Sequence, residues 1–105
     1  MKQRRERLAA AIQRSVAREL LELFPGEHIT VTEVEMTSDS KFATIWISIL
    51  HPEGRNDLFE QVLAHKNRLR QAIAQGIQMR RVPGIDIKLD FRGERAQEIS
   101  RLAKE

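Results

Sequence analysis

The sequence has 105 residues and contains no cysteine, which excludes disulfide cross-links and thiol nucleophiles. No apolar stretch approaches the ~20 residues that a membrane-spanning helix needs. The basic N-terminus leads into an amphipathic pattern with polar breaks, not into the apolar run and cleavage site of a secretory signal. We therefore expect a cytoplasmic protein that makes no contact with a membrane.

Residue patterns for catalysis, cofactors and metals are also missing. The five glycines are scattered, so there is no glycine-rich phosphate loop, and no serine lies in a nucleophile elbow. His28, His51 and His65 are far apart and lack the spacing of metal ligands on a helix. We therefore predict a protein that is not an enzyme, with no cofactor, no metal and no small-molecule substrate.

Acidic residues are absent from residues 61–85, whereas that segment holds five basic ones: Lys66, Arg68, Arg70, Arg80 and Arg81. Residues 1–18 form a second basic segment, with six basic residues against Glu6. Residues 19–60 between them hold nine acids against two bases. A basic, acid-free segment in a mixed chain is typical of a surface that faces a polyanion such as nucleic acid. Charge alone is equally compatible with a solvated helix face.

Apolar periodicity predicts a helix and then a hairpin in the first half of the chain. A stripe at helical spacing runs from Arg4 to about Leu23 and is stopped by Phe24-Pro25-Gly26. Two stretches rich in β-branched residues flank the turn TSDS, which predicts a β-hairpin. The first stretch changes phase near Thr32–Glu33, where we expect a bulge or a strong twist. The second should bury Ala43, Ile45, Ile47 and Ile49.

The second half predicts a kinked helical region, a strand and a short helix. The stripe that starts at Leu58 is interrupted at His65-Lys66-Asn67, where we expect a kink or a break into two helices. Pro83-Gly84 should end the helical region. IDIKLDF alternates as a strand, with Phe91 on the apolar face, and ERAQEISRLAKE should be a C-terminal helix. The predicted architecture is α+β, in the order α-β-β-α(kink)α-β plus the short helix. Residues 1–105 would form one domain, a three-stranded mixed sheet with helices on one face.

Trp46 is the only tryptophan and alternates onto the face opposite the isoleucines. An aromatic ring on an open sheet face can stack on a base. The alternative is packing against Phe42 or a neighbouring element, and the lack of a second aromatic that we expect to be exposed favours it.

The order of these segments resembles a known family. VTEVEMTSDSKFATIWIS is similar to the hairpin of ribosome-binding factor A, a bacterial assembly factor of the small ribosomal subunit. The match continues with Arg80-Arg81-Val82-Pro83 before the last strand. It ends at residues that resemble the closing segment of the family, which are Asp90, Ala96, Ile99 and Leu102.

This resemblance implies a KH-like fold of the second type and a role in late small-subunit rRNA maturation, including cold adaptation. It also implies a kink of the form Ala-x-Gly, here replaced by His65-Lys66-Asn67. The partner would be the small ribosomal subunit and its rRNA, bound by a protein that is a monomer when free. The candidate rRNA-binding residues are Lys66, Asn67, Arg68 and Arg70 around the kink, Arg80 and Arg81 at the helix end, and Arg4, Arg5 and Arg7.

A second hypothesis stays open from the residues alone. The chain can instead be a protein-interaction or dimerisation module that uses the sheet edge and apolar residues of the first helix, without acting on RNA. Binding to RNA weakens steeply with salt, whereas an apolar protein contact does not. The RNA hypothesis further requires the two basic segments to meet in space.

Overall fold

Three helices and three strands build the described part of the chain, which a computed structural model gives for residues 2–50 and 53–92. The elements are α1 (Lys2–Leu23), β1 (Ile29–Met36), β2 (Phe42–Ile49), α2 (Arg55–Ala64), α3 (Lys66–Gly76) and β3 (Gly84–Leu89). Their order confirms the predicted α-β-β-α-α-β arrangement. The C-terminal helix predicted at residues 94–105 lies outside the described residues.

The sheet is mixed, and β2 is its central strand. β1 pairs with β2 in the antiparallel sense, and β3 pairs with the other edge of β2 in the parallel sense. The register of the hairpin shifts between Val31 and Glu33, which confirms the predicted bulge. The extra residue reconciles the two alternation phases of β1, so that Val31 and Val34 are both buried.

The helices cover one face of this sheet. Ala43, Ile45, Ile47 and Ile49 of β2 are buried, while the residues between them point to the other face and are not. The core that covers them comes from every helix and both outer strands: Ile12, Val16, Leu20, Val31, Val34, Leu58, Val62, Leu69, Ile73, Ile85 and Ile87. Gln13 of α1 also donates a hydrogen bond from Nε2 to the Val31 carbonyl, at 3.0 Å. These contacts confirm the α+β prediction with helices on one face.

The break between α2 and α3 occupies one residue, His65, which has φ −99° and ψ 16°. Its N–H donates to the Val62 carbonyl at 3.0 Å, and its Nδ1 lies 2.8 Å from the Gln61 carbonyl. Its ring meets the ring of Phe24 edge-on at 5.5 Å. The predicted kink was therefore too long, because Lys66 and Asn67 already belong to α3. The tripeptide centred on the break is Ala64-His65-Lys66, so an alanine does precede it.

The connection from α3 to β3 differs from the prediction that Pro83-Gly84 ends the helical region. α3 ends at Gly76, and Ile77 is extended, with φ −130° and ψ 128°. Glycine has a low helix propensity, and the chain beyond it needs extended backbone to reach the sheet. Arg80 and Arg81 therefore lie in a non-helical segment and not at a helix end. Phe91 likewise lies beyond β3, which stops at Leu89.

A polar network ties the end of β3 to the bulge of β1 across the central strand. Thr32 donates from Oγ1 to Asp90 at 2.6 Å, and the Arg92 guanidinium donates to both carboxylate oxygens of Asp90, at 2.9 and 3.0 Å. Arg92 also pairs with Glu33 at 2.8 Å. The hydrogen bonds from Arg92, and then that from Thr32, hold the pKa of Asp90 well below its usual range.

Leu69→Ala tests whether α3 is held by apolar burial. Leu69 is 0% exposed, whereas Leu21 of α1 is 67% exposed. Removing Leu69 leaves a cavity and should lower the free energy of unfolding by about 2–5 kcal/mol. The matched Leu21→Ala variant should change it by less than about 0.5 kcal/mol. Urea unfolding followed by circular dichroism measures both, and equal losses would contradict the assignment of Leu69 to the core.

Asp90→Asn tests the polar network through its pH dependence. Because folding lowers the pKa of Asp90, its ionised form stabilises the fold fully above the unfolded pKa of about 3.9. That stabilisation is lost as pH falls below this value toward the folded pKa. The melting temperature of the variant should therefore lie below that of the native protein at pH 5–7, and the gap should narrow below about pH 4. A difference in melting temperature that stays the same from pH 7 to pH 2 would show that the charge of the Asp90 carboxylate does not contribute to stability.

Candidate nucleic-acid interface

Two of the predicted basic segments meet around one cleft of about 740 Å³. It opens where the N-terminal turns of α1, the β1–β2 turn and the segment before β3 come together. We call it the basic cleft. Its lining includes six basic side chains and one acidic side chain: Arg4, Arg5, Arg7, Lys41, Arg80, Arg81 and Asp39. Among the described residues, none of these six cations forms an ion pair with a carboxylate.

Asp39 serves the β1–β2 turn that brings Lys41 to this cleft. Its Oδ1 accepts hydrogen bonds from the Thr37 hydroxyl at 2.6 Å and from the Lys41 N–H at 3.1 Å. The Thr37 hydroxyl and then the Lys41 amide lower the pKa of Asp39. Ser40 takes the left-handed conformation, with φ 59°, which closes the turn. The carboxylate of Asp39 is thus engaged in hydrogen bonds within the turn, as its sequence context predicts.

A second cleft, of about 490 Å³, lies between the first turns of α3 and the start of β2 and β3. We call it the edge cleft. Lys66, Asn67 and Arg70 line it from the helix, while Phe42, Thr44 and Asp86 line it from the strands. The polar side chains predicted around the kink, except Arg68, therefore share one concave surface.

Arg70 also fixes the segment that carries Arg80 and Arg81. Its Nε donates to the Pro83 carbonyl and its Nη2 to the Val82 carbonyl, both at 3.2 Å. A planar guanidinium can satisfy two neighbouring carbonyls at once, which the ammonium group of lysine does not do with fixed geometry. Arg70 thus lines the edge cleft and also holds the segment that lines the basic cleft.

The two clefts adjoin along the backbone as well. Lys41 lines the basic cleft, and the next residue, Phe42, lines the edge cleft. Across the sheet, the Gly84 N–H donates to the Lys41 carbonyl at 2.9 Å, so the start of β3 follows the same boundary. The two clefts therefore lie side by side at this end of the sheet.

Arg68 does not belong to this surface. Its Nε forms an ion pair with Glu19 of α1 at 2.9 Å, and it lines neither cleft. Sequence spacing does not reveal this pairing, because the two residues are 49 positions apart. Conversely, sequence reasoning missed Lys41 and Phe42, which stood in a segment whose overall charge is acidic.

Trp46 is half-buried on the sheet face opposite the core. The Lys88 ammonium lies 5.7 Å from the centre of its ring and the Arg92 guanidinium 5.9 Å. Two cations therefore flank the ring. Among the described residues, the most exposed aromatic one is instead Phe42, at 61%.

Within residues 2–50 and 53–92, no three histidine or acidic residues stand close enough to share a metal ion. No helix in the same residues is both long and apolar enough to cross a membrane.

The element order, the mixed sheet and the cationic end together define an α+β protein of the KH-like class. Comparison with known families then identifies the chain more closely. The family model described as ribosome-binding factor A matches residues 4–103. The chain belongs to the ribosome-binding factor A family, which confirms the resemblance seen in its sequence.

Individual relatives agree with this assignment. Ribosome-binding factor A of Fusobacterium nucleatum is 34% identical, over 96% of this chain and 93% of that protein. The solution structure of a Thermotoga maritima protein described as a putative ribosome binding factor A superposes with a TM-score of 0.67 and 26% identity, covering 80% of this chain and 84% of that one. The crystal structure of ribosome-binding factor A from Thermus thermophilus shares the fold, with a TM-score of 0.69 at 22% identity, covering 79% of this chain and 92% of that one.

Arg70→Lys tests the link between the clefts. Loss of the paired hydrogen bonds from Arg70 to the Val82 and Pro83 carbonyls should free residues 77–83 to move. It should lower the free energy of unfolding by about 1 kcal/mol. Trypsin should then cleave after Arg80 and Arg81 faster than in the native protein, as mass spectrometry of a time course can show. Arg14→Lys makes the same chemical change on the exposed side of α1 and should leave cleavage at these sites unchanged. Equal cleavage rates in the native protein and Arg70→Lys would show that Arg70 does not hold the segment.

Proposed function

We propose that this protein binds the small ribosomal subunit through rRNA and acts as a non-enzymatic factor in its assembly. One observation carries the proposal: three chain segments that are distant in sequence place six basic side chains around a single cleft. Membership of the ribosome-binding factor A family supports it. A homology model of Thermus thermophilus ribosome binding factor A is described as fitted into the cryo-EM map of a 30S–RbfA complex. It is 25% identical to this chain, with a TM-score of 0.62, and covers 74% of this chain and 86% of that one.

The mechanism follows from the geometry of the cations. Arginine presents several N–H donors in a plane and suits phosphate oxygens, and a cluster of such groups binds RNA with a salt-dependent affinity. Arg4, Arg5, Arg7, Arg80 and Arg81 would contact phosphates in the basic cleft. Lys66, Asn67 and Arg70 would extend the contact along the edge cleft. Recognition would come from the shape of the folded rRNA and from adjoining ribosomal protein.

The break between α2 and α3 distinguishes this surface from a KH loop of the form Gly-x-x-Gly. Glycines there let the RNA backbone come close to the protein backbone. In this chain the break is one residue, and Lys66 and Asn67 project from the first turn of α3. Side-chain donors would therefore replace backbone contact at this position.

The family role gives the rest of the proposal. The protein would be a cytoplasmic monomer when free, its residues 1–105 forming a single KH-like RNA-binding domain. It would bind free or immature small subunits and help late rRNA maturation, including growth in the cold. It would need no cofactor, metal, membrane or small-molecule substrate.

Charge reversal in the basic cleft tests the proposal. Co-sedimentation with purified small subunits should weaken as KCl rises, because bound cations on the RNA are released on binding. The double variant Arg80→Glu/Arg81→Glu should reduce affinity and lower the slope of log K against log [KCl] by about 2. Arg68→Glu should have a smaller effect, since Arg68 is already paired with Glu19.

The matched control is Arg14→Glu/Arg18→Glu. It makes the same change in net charge at two exposed arginines of α1 that line neither cleft, and it should bind nearly as the native protein does. Equal losses of affinity in both double variants would show that binding depends only on the net charge of the protein. An affinity that does not change with KCl and is not reduced in Arg80→Glu/Arg81→Glu would instead favour a protein-interaction module.

A further inference from the structure

Phe42 is an aromatic side chain that the core does not use. It begins β2 on the face opposite the isoleucines, and the residue is 61% exposed. Single exposed apolar residues are common on protein surfaces, but Phe42 lines a concave site, the edge cleft. None of the phosphate contacts proposed above requires an aromatic group.

The ring of Phe42 has a defined position on the sheet. It lies against Gly84, its parallel partner in β3. A Cβ atom added at Gly84 would come within 3.1 Å of Phe42 Cδ1 and 3.2 Å of Cε1. Only glycine therefore lets the ring approach the strand this closely without a shift. The ring thus rests against the β3 backbone, while the residue as a whole remains exposed.

Polar residues of α3 share the edge cleft with Phe42. Lys66, Asn67 and Arg70 line the same cleft from α3, whereas its apolar residues Ala43 and Ile85 are buried. A docking site for an apolar protein segment would surround the ring with further exposed apolar groups. One ring among hydrogen-bond donors instead suits a ligand with a flat π-surface and a negative charge close by. A nucleotide has both.

Asp86 is the one acidic residue in the lining of the edge cleft. Its Oδ1 accepts a hydrogen bond from the Ile87 N–H at 3.0 Å. It stands two residues beyond Gly84 in β3. A carboxylate repels phosphate but accepts hydrogen bonds from the exocyclic amino group of a base. The cations of the edge cleft thus lie on α3, and its carboxylate lies on β3.

We infer that Phe42 is a stacking platform for an unpaired base of single-stranded RNA that runs from the basic cleft into the edge cleft. The inference rests on the proposed function, because the phosphates must first be held by the neighbouring cations. It adds a base contact to a surface otherwise defined by charge. It also selects the RNA form, since a base inside a duplex cannot reach the ring.

Fluorescence anisotropy with three labelled RNA probes tests this inference: an adenosine decamer, a uridine decamer and a blunt duplex of ten base pairs. The native protein should bind the adenosine decamer more tightly than the uridine decamer, because purines stack more strongly. Phe42→Ala should weaken binding of the adenosine decamer about tenfold, within the range measured for single stacking contacts. It should leave duplex binding and the salt slope unchanged. Phe42→Tyr keeps the π-face and should bind as the native protein does.

A spectroscopic readout separates stacking from a structural role. In Phe42→Trp/Trp46→Phe the only tryptophan stands at position 42, and its fluorescence should be quenched as the adenosine decamer binds. Phe42→Leu keeps an apolar contact with Gly84 but lacks the π-face, so it should lose affinity as Phe42→Ala does. Circular dichroism confirms that each variant is folded.

The outcomes distinguish this inference from the proposed function. If Phe42→Ala and Phe42→Leu bind the adenosine decamer as tightly as the native protein, while Arg80→Glu/Arg81→Glu weakens subunit binding, the stacking inference is overturned and the proposed function stands. If the arginine variant also binds subunits normally, both fail. Quenching at position 42 together with the tenfold loss supports both.

Discussion

The central strand β2 is the element on which the rest of the structure depends. It is bonded on both sides, antiparallel to β1 and parallel to β3, and it buries Ala43, Ile45, Ile47 and Ile49 beneath the helices. A strand with both edges paired and one face covered has only one register that keeps these side chains out of water. The parallel pairing in turn forces the chain to cross over the sheet between β2 and β3, which is where α2 and α3 lie.

This constraint also explains why the basic groups converge. A parallel crossover returns the chain to the end of the sheet where β2 began, so the segment before β3 meets the β1–β2 turn. The N-terminal turns of α1 reach the same end. Lys41 and Arg81 are thereby brought to one cleft although they are 40 positions apart in the sequence. Mutual repulsion among these cations is a cost that a bound polyanion would relieve, which is the physical basis of the proposed RNA contact.

Elements with a strong apolar period could be predicted from the sequence, and elements set by long-range contacts could not. The stripe of α1, the hairpin and its bulge follow from local spacing, because burial of one face fixes periods of 3.6 and 2. The predicted end of α3 is too late, because one glycine does not by itself end a helix, and the need of the chain to reach the sheet is a long-range constraint. The break before α3 was predicted, but its extent was set by the contact of His65 with Phe24 and with the Gln61 carbonyl.

The candidate site divides in the same way. The sequence determined which segments are cationic and free of acids, and this suggested a polyanion as partner before any fold was known. Only the tertiary structure decided that Arg80 and Arg81 join Arg5 in one cleft, that Arg68 is neutralised by Glu19, and that Phe42 is left exposed. Charge is a property of composition and can be counted, whereas a shared cleft is a distance between residues far apart in the chain, and such distances are fixed by packing.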